Sequence, residues 1–300
     1  MLLDTPSLYF RAYYGVPDSI TAPDGSPVNA VRGLLDFVAR LVTDRSPTHL
    51  VATMDRDWRP AFRVAALPTY KAHRVAMGDE EEVPDALIPQ VAVIEDVLGA
   101  LGVPVIGAPG YEADDVIGTL ATSSPRPVDV VTGDRDLFQL VDDERDVRVL
   151  YTARGVGRHE VVDEGWVRAT YGIPGRAYAD FATLRGDPSD GLPGVPGIGA
   201  KTAAALVTRY GSLAGILAAL DAGDTAMPPG ARTKLLAARD YLARAPVVVA
   251  VATDVDLPAH DAALPREPAD AGRLVELAQR WGLDSSLNRV LTAFGHGTAE

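Results

Sequence analysis

Acidic side chains form short clusters along this chain of 300 residues, and each cluster falls where a strand or a loop should end. Carboxylates this close together repel one another unless cations neutralise them, and hard cations such as Mg²⁺ or Mn²⁺ take oxygen ligands of this kind. Two-metal sites need several such carboxylates. The candidate ligands are Asp4, Asp55, Glu112, Asp114, Asp115, Asp134, Asp136, Asp187 and Asp190. Their clustering predicts a metal-dependent phosphoryl-transfer or nuclease site.

Three hydrophobic runs, MLLD, HLVATMD and VDVVTGD, each finish on one of these acids. In an open parallel α/β sheet the ligand crevice lies at the carboxyl ends of the strands, so Asp4, Asp55 and Asp134 should meet there. The alternative is helix capping, because Glu112 and Asp114, and also Asp134, fit the acidic start of a helix when each motif is taken alone. Their coincidence with Asp4 and Asp55 favours the metal site.

A glycine-rich turn, GVPGIGAKT, is the second feature that could do chemistry. Its glycines, Gly194, Gly197 and Gly199, would let backbone N–H groups approach a phosphate at the start of a helix, whose dipole also favours an anion. Lys201 and Thr202 would lie in the first turn of that helix. The alternative is a plain packing corner between two helices. The missing side chains and the placement of Lys201 favour binding to duplex DNA.

Strand-like and helix-like segments alternate over the first two-thirds of the chain, which predicts a parallel sheet covered on both faces. The predicted strands are MLL before the first acid and residues 49–54, 103–106 and 128–132. The predicted helices are residues 29–43, 84–101, 112–121 and 135–141.

The pattern changes near residue 171 to short helical pieces, with no strand before residues 247–252. This change predicts a helical subdomain docked on the sheet. The Pro- and Ala-rich segment 258–268 is typical of a linker before terminal helices.

Composition excludes several classes of site. The chain has no cysteine, so disulfides, thiolate zinc sites and cysteine nucleophiles are absent. It has no GxSxG elbow and no Walker A loop. The net charge of −13 is unusual for a nucleic-acid binder, but the clustered acids account for most of it. No apolar stretch approaches the ~18 residues of a membrane span and no signal peptide is evident, so we expect a cytoplasmic protein.

Taken together and in this order, the motifs resemble those of the structure-specific 5′-nuclease family, which includes flap endonucleases and the 5′-nuclease domain of bacterial DNA polymerase I. The resemblance is carried by LLDTPSLYFRAYYG, MDRDWRPAFR, YKAHR, GYEADDVIG, TGDRDLFQLV, GDPSDGLPGVPGIGAKTAA and LLAARDYLARAPVVVAVATDVDL. It covers nearly the whole chain. No polymerase region follows, so we expect a free-standing bacterial 5′-nuclease.

The resemblance implies a division of the chain into three parts. Residues 1–170 would form a PIN-like α/β nuclease core with an arch or clamp segment at about 70–89. Residues 171–245 would form a helix–three-turn–helix DNA-binding subdomain, and residues 246–300 would pack back on the core.

The same resemblance implies roles for single residues. The nine acids would be metal ligands, directly or through water, for two or more Mg²⁺ or Mn²⁺ ions. Lys71 and Arg74 would grip the scissile phosphate as catalytic residues, and Tyr70 would stack on a base. Arg59 and Arg63 would also bind DNA. The residues implied to hold the downstream duplex, often with a K⁺ ion on the carbonyls of the turn, are Gly194, Gly197, Gly199, Lys201 and Thr202.

The implied reaction is hydrolysis of DNA near a 5′ single-strand/duplex junction, in replication and repair. One ion would lower the pKa of the attacking water and another would stabilise the leaving 3′ oxygen. The substrate would be DNA with a 5′ flap, a gap or a recessed or overhanging 5′ end, and no obligate protein partner is evident. Two alternatives remain open: a non-catalytic branched-DNA-binding protein of the same fold, and a PIN-type ribonuclease.

Two features depart from the family pattern. A small residue, often Gly, usually follows the first acid, whereas the run here is Asp4-Thr5-Pro6-Ser7 with three residues before it. This gives the hypothesis that the true start lies upstream, which the intact mass of the native protein would test. The segment 70–89 is short and acidic at 79–82, so threading of a flap through it is left open.

Overall fold

A six-stranded sheet forms the centre of the computed structural model, which describes residues 1–76 and 81–295. The strands are β1 Leu2–Asp4, β2 Val51–Thr53, β3 Val105–Ile106, β4 Val128–Thr132, β5 Val147–Tyr151 and β6 Glu160–Val162. Their order is β3-β2-β1-β4-β5-β6, and every neighbouring pair is parallel except β5 and β6, which are antiparallel. The predicted α/β class with a parallel sheet is confirmed, apart from this antiparallel edge.

The central strand β1 lies between β2 and β4. Asp4 is aligned with Thr53 of β2, and Leu3 is aligned with Val131 of β4, so these three strands end at the same level. Because they run parallel, the acids that follow them emerge at one edge of the sheet. These short, largely buried strands therefore act as the frame of the predicted site.

The described residues contain thirteen α-helices. They are α1 Thr5–Gly15, α2 Asn29–Arg45, α3 Ala61–Ala66, α4 Ile88–Leu101, α5 Ala113–Ser123, α6 Glu164–Tyr171, α7 Tyr178–Arg185, α8 Ala200–Tyr210, α9 Leu213–Asp221, α10 Pro229–Ala237, α11 Arg239–Val249, α12 Ala271–Trp281 and α13 Asp284–Ala293. No single helix in this part of the chain is long and apolar enough to cross a membrane; only α8 and α9 together pass that test, and they are bent by 79°.

Most predicted helices are confirmed, with shifted ends. Helix α4 begins four residues later than expected, with Pro89 in its first turn, where a missing N–H costs nothing. The segment predicted as helix 135–141 is a 3₁₀ helix, Asp136–Leu140.

The prediction of a strand at 247–252 is wrong, because α11 continues through Pro246 to Val249. Its β-branched residues resemble a strand locally, but Leu242, Ala245 and Val249 recur at helical spacing and all three are buried. Tertiary burial therefore overrides local propensity here.

Two apolar cores cover the two faces of the sheet. One contains side chains of α5 and of α7 to α11, together with the fully buried rings of Phe138, Tyr178 and Phe181. The other contains side chains of α1, α2, α4, α12 and α13. The helical segment after residue 171 shares the first core with the sheet, so its position relative to the strand ends is set by apolar packing. The predicted linker 258–268 lies beside β2, where Leu50 N–H donates to the Ala262 carbonyl at 2.8 Å.

Candidate active site

An open cleft of about 510 Å³ lies at the carboxyl edge of the sheet. The predicted acids in its lining are Asp4, Asp55, Glu112, Asp114, Asp134 and Asp187. Lys71 and Arg74 lie in the same lining, as does Glu81. The structure therefore brings six of the nine acids together with Lys71 and Arg74, the two cations predicted to be catalytic.

Asp4 ends β1 and caps α1, where its Oδ1 accepts a hydrogen bond of 3.1 Å from the Ser7 N–H. Its Oδ2 accepts a hydrogen bond of 2.5 Å from the Thr132 hydroxyl at the end of β4. Burial raises the pKa of Asp4 to about 7, and the charges of Asp55 and Asp134 add to this, while the two hydrogen bonds oppose it. A metal-free cleft therefore holds this carboxyl partly protonated near neutral pH.

Asp55 connects the end of β2 to the start of α5, because its Oδ1 accepts a hydrogen bond of 2.7 Å from the Ala113 N–H. Burial raises its pKa to about 6, and the charge of Glu112 adds to the shift. The pKa of Asp114 is also raised, first by burial and then by the charges of Asp4 and Asp134. These acids share one cleft lining, and their mutual repulsion adds to the effect of burial.

Glu112 caps α5 and has two cationic partners, Lys71 and Arg63. Its Oε1 contacts the Lys71 ammonium, and its Oε2 accepts hydrogen bonds from Arg63 at 2.7 Å and from the Tyr70 hydroxyl at 2.6 Å. Burial would lower the pKa of Lys71, but the acidic groups around it, Glu112 first, together outweigh burial and raise that pKa. Lys71 therefore remains a cation inside the cleft.

A second group of acids follows β4 and α7; Asp134 and Asp187 line the cleft, whereas Asp136 and Asp190 are outside its lining. Asp134 accepts a hydrogen bond of 2.9 Å from the Asp136 N–H, and Asp190 pairs with Arg74 at 3.2 Å. Asp187 accepts a hydrogen bond of 2.9 Å from the Ser189 N–H. Burial raises the pKa of Asp136, and the charges of Asp134, Asp190 and Asp187 raise it further. Burial also raises the pKa of Asp190.

The donor set fits a hard divalent cation. Several carboxylates face one cleft, and Asp136 Oδ1 is buried without a hydrogen-bond partner, so it has an unused acceptor. Within residues 1–76 and 81–295, however, no three His, Cys, Asp or Glu side chains stand close enough to form a ready-made metal cage. In this structure Lys71 on the cleft side and Arg63 behind it are the positive charges that Glu112 contacts.

Burial contradicts three predicted roles. Arg63 and Tyr70 are 2% and 3% exposed, so they cannot contact DNA or stack on a base in this structure. Asp115 is 0% exposed and pairs with Arg63 rather than facing the cleft. Arg59 is half-buried and donates to the backbone carbonyls of Tyr70 at 2.6 Å and Pro68 at 2.9 Å, so it holds the turn before Lys71.

The predicted arch is described except for residues 77–80, so Asp79 and Glu80 of its acidic run lie outside the described residues. Val75 and Glu81 form an antiparallel bridge, and the Glu82 N–H donates to the Arg74 carbonyl at 2.7 Å. This pairing brings Glu81 into the cleft lining. Sequence reasoning noted the acidic run but did not assign Glu81 to the site.

The glycine turn precedes α8, as predicted. Gly194 has a left-handed φ of +66°, and a Cβ there would lie 2.5 Å from the backbone of Arg185, so only glycine fits. Gly197 is also left-handed, at φ +78°, whereas Gly199 has an ordinary extended backbone and caps α8. Lys201 and Thr202 are exposed in the first turn of α8.

Sequence reasoning missed Lys234, whose ammonium donates a hydrogen bond of 2.8 Å to the Gly197 carbonyl. One signal could have identified it. The chain contains 3 lysines against 25 arginines, and the other two lysines, Lys71 and Lys201, are in the motifs already singled out.

Comparisons with protein families match almost the whole chain. The model described as the N-terminal resolvase-like domain of 5′-3′ exonuclease matches residues 1–172. The model described as the C-terminal SAM fold of 5′-3′ exonuclease matches residues 173–272.

Two curated relatives are similar over nearly their full length. A 5′-3′ exonuclease of Streptomyces coelicolor is 62% identical over 297 residues, which is 97% of this chain and 99% of the relative. A 5′-3′ exonuclease of Mycobacterium tuberculosis is 53% identical over 98% of this chain and 96% of the relative. DNA polymerase I of Mycobacterium bovis is 45% identical over 226 residues, which is 24% of that longer protein.

Solved structures share the fold at low identity. A T5 5′-exonuclease with bound zinc ions has a TM-score of 0.64 and 20% identity, covering 98% of both chains. The catalytic core of Rad2 in complex with DNA substrate has a TM-score of 0.61 and 16% identity, covering 98% of this chain and 91% of that one.

Proposed function

Since this chain belongs to the 5′-3′ exonuclease family, we propose that it hydrolyses DNA phosphodiesters at or near 5′ single-strand/duplex junctions, as an exonuclease and flap endonuclease. One observation carries the proposal: acids from the ends of β1, β2 and β4 and from the start of α5 line one cleft with Lys71 and Arg74. The substrates would be DNA with a 5′ flap, a gap or a recessed or overhanging 5′ end, in cytoplasmic replication and repair.

The cleft acids would hold two or more Mg²⁺ or Mn²⁺ ions. The proposed ligands are Asp4, Asp55, Glu112, Asp114, Asp134, Asp136, Asp187 and Asp190. When bound, such ions supply an activated water and stabilise the charge on the phosphate and the leaving oxygen. The zinc ions bound to the T5 5′-exonuclease, which has the same fold, support a divalent-ion site in this cleft.

Lys71 and Arg74 would hold the scissile phosphate. Both lie in the cleft lining, and Lys71 is kept charged by its acidic surroundings. Hydrogen bonds from fixed cations to phosphate oxygens stabilise the charge that develops during cleavage. Arg74 also donates to the Ser189 carbonyl at 2.9 Å and pairs with Asp190, which holds its guanidinium at one side of the cleft.

The helical segment would hold the duplex downstream of the cut. Backbone N–H groups of the glycine turn, with Lys201, Thr202 and Lys234, can contact phosphates without reading sequence. The expected K⁺ ion fits this turn poorly, because the Gly197 carbonyl already accepts a hydrogen bond from the Lys234 ammonium. The positive charge at this turn would therefore come from the chain itself.

The test is cleavage of a 5′-labelled double-flap DNA with Mg²⁺, Mn²⁺ or EDTA, by the wild-type protein and by Asp136→Asn. We expect metal-dependent incision near the junction, which the substitution nearly abolishes while junction binding stays within a few-fold. Tight binding without cleavage under any metal would replace this proposal with a branched-DNA-binding protein. Preference for an RNA flap of the same sequence would replace it with a ribonuclease.

A further inference from the structure

Arg63 of α3 is a fully buried cation that binds two other parts of the chain. Its Nη1 donates to Glu112 Oε2 and to Asp115 Oδ2, both at 2.7 Å, and its Nη2 donates to Asp115 Oδ1 at 2.6 Å. Its Nε donates to the Val248 carbonyl at 3.1 Å, and Nη2 also reaches the Ala250 carbonyl at 3.4 Å. The guanidinium thus joins α3, the start of α5 and the end of α11.

Asp115 completes this junction from the other side. Beyond its bidentate pair with Arg63, it accepts hydrogen bonds from the Glu112 N–H at 3.2 Å and from the Ala252 N–H at 2.8 Å. Asp115 is therefore occupied by four donors in a buried site, and no oxygen of it faces the cleft lining. The carboxylate oxygens of Asp115 therefore accept hydrogen bonds from protein donors rather than binding a metal ion.

The two oxygens of Glu112 face different surroundings. Oε2 is held by the buried donors Arg63 and Tyr70, whereas Oε1 meets Lys71 in the cleft. Fixing one oxygen of a carboxylate from behind orients the other toward the cleft. Partners of this kind orient metal ligands and raise the affinity of a site.

We infer that Arg63 and Asp115 are positioning residues: they fix the carboxylate of Glu112 against the end of α11 and so set the affinity of the cleft for its divalent ions. This inference rests on the proposed function, since it gives Glu112 the role of a ligand. It also connects the helical segment to the cleft, because the carbonyls of Val248 and Ala250 and the N–H of Ala252 follow or end α11.

The test compares Arg63→Lys, Asp115→Asn and the double variant Arg63→Met/Asp115→Leu with the wild-type protein. The double variant removes both charges together, so it leaves no buried charge unpaired and keeps the fold testable. The matched control is Arg45→Met/Asp129→Leu, which removes another ion pair, at 2.9 Å, between α2 and β4. Circular dichroism checks that each variant is folded.

Two readouts do not depend on the fraction of active enzyme. The first is the dissociation constant for Mn²⁺ in the absence of DNA, which electron paramagnetic resonance measures. The second is the Mg²⁺ concentration that gives half-maximal cleavage. We expect both to rise about 10-fold or more in Asp115→Asn and the double variant, less in Arg63→Lys, and about 2-fold at most in the control pair. The KM for DNA should change little.

The outcomes separate the two proposals. Folded Arg63 and Asp115 variants with wild-type Mn²⁺ affinity would overturn the inference and leave the proposed function standing, provided the wild-type protein cleaves. A fall in kcat would also overturn it if the Mn²⁺ dissociation constant and the Mg²⁺ concentration for half-maximal cleavage stay unchanged, because a merely structural role gives that result. A wild-type protein that neither binds Mn²⁺ nor cleaves flap DNA would overturn both proposals.

Discussion

The Thr132 hydroxyl donates a hydrogen bond of 2.5 Å to Asp4 Oδ2 and accepts one of 2.8 Å from the Asp134 N–H. Thr132 is 0% exposed and Asp4 is 4% exposed, so this hydroxyl connects two neighbouring strand ends inside the protein. It also favours the ionised form of Asp4, because its hydrogen bond lowers a pKa that burial raises. One hydroxyl thus fixes the spacing of two acids at the floor of the cleft.

Thr132→Val should therefore destabilise the protein in a pH-dependent way. It removes the donor to a buried carboxylate, which costs about 1–3 kcal/mol when that carboxylate is ionised. The pKa of Asp4 would rise further, so the loss should be larger above pH 7 than near pH 5. Urea unfolding in EDTA at both pH values measures this loss of stability. Thr132→Ser keeps the hydroxyl and should lose much less; an equal loss in both variants would contradict this reading.

Asp136→Asn should stabilise the metal-free protein while it removes activity. The carboxyl has a buried oxygen without a partner, and its pKa is raised by burial and by three neighbouring acids. Replacing it with a neutral amide relieves that repulsion, and we expect a higher melting temperature than that of the wild-type protein in EDTA near pH 8. Asp146→Asn, at an exposed position, is the control. A melting temperature below that of the wild-type protein would contradict the expectation.

Stability and metal binding should both depend on pH through Asp4 and Asp55. Their pKa values, about 7 and about 6, lie above the ordinary value of 3.8. The folded protein therefore keeps protons that the unfolded chain has released, so the free energy of unfolding falls as pH rises from about 4 to about 8. Divalent metal ions compete with these protons for the two carboxylates. Mg²⁺ should raise the melting temperature more near pH 8 than near pH 5.5, by differential scanning calorimetry; an equal rise at both would contradict the shifted pKa values.

Lys234→Met should weaken duplex binding without changing the chemistry in the cleft. Loss of one phosphate contact lowers the affinity several-fold and reduces the slope of binding against salt by about 1. Fluorescence anisotropy with Ca²⁺ in place of Mg²⁺ measures it, and Arg280→Met, at an exposed position on α12, is the control. The affinity of the wild-type protein for duplex DNA should be the same in KCl and in NaCl. Tighter binding in KCl alone would show that K⁺, rather than Lys234, supplies the charge at the turn.

Gly191→Ala should push apart the segment that contains Lys71 and the loop that contains Asp190. Gly191 has a left-handed φ of +72°, and a Cβ there would lie 2.2 Å from the Thr69 carbonyl oxygen. The left-handed backbone alone costs about 1–2 kcal/mol in a residue with a Cβ. Relief of the contact would move the loop that accepts the Lys71 N–H through the Asp190 carbonyl at 3.0 Å. We expect lower stability and a lower kcat.

The control for that variant is Gly157→Ala, since a Cβ at Gly157 meets nothing within 4 Å. Its unfolding midpoint and kcat should stay close to those of the wild-type protein. If Gly191→Ala behaves like this control in both measurements, the close packing of the two segments has no functional consequence.

The sequence by itself determined the frame of the protein. Hydrophobic runs that end on acids are a local pattern, and the parallel sheet does bring Asp4, Asp55 and Asp134 to one cleft. The glycine turn was also predictable, because the left-handed backbone at Gly194 and Gly197 demands a residue without a Cβ. The family followed from the order of these motifs.

Tertiary structure decided which charged residues face the cleft. Arg63 and Asp115 have the residue types expected of a DNA contact and a metal ligand. They are buried, however, and they pair with each other although 52 positions separate them. The strand predicted at 247–252 became the end of α11 for a related reason: its apolar residues pack on partners that lie far away along the chain. Local periodicity records what a segment prefers, whereas the partner that neutralises or buries a side chain comes from distant parts of the chain.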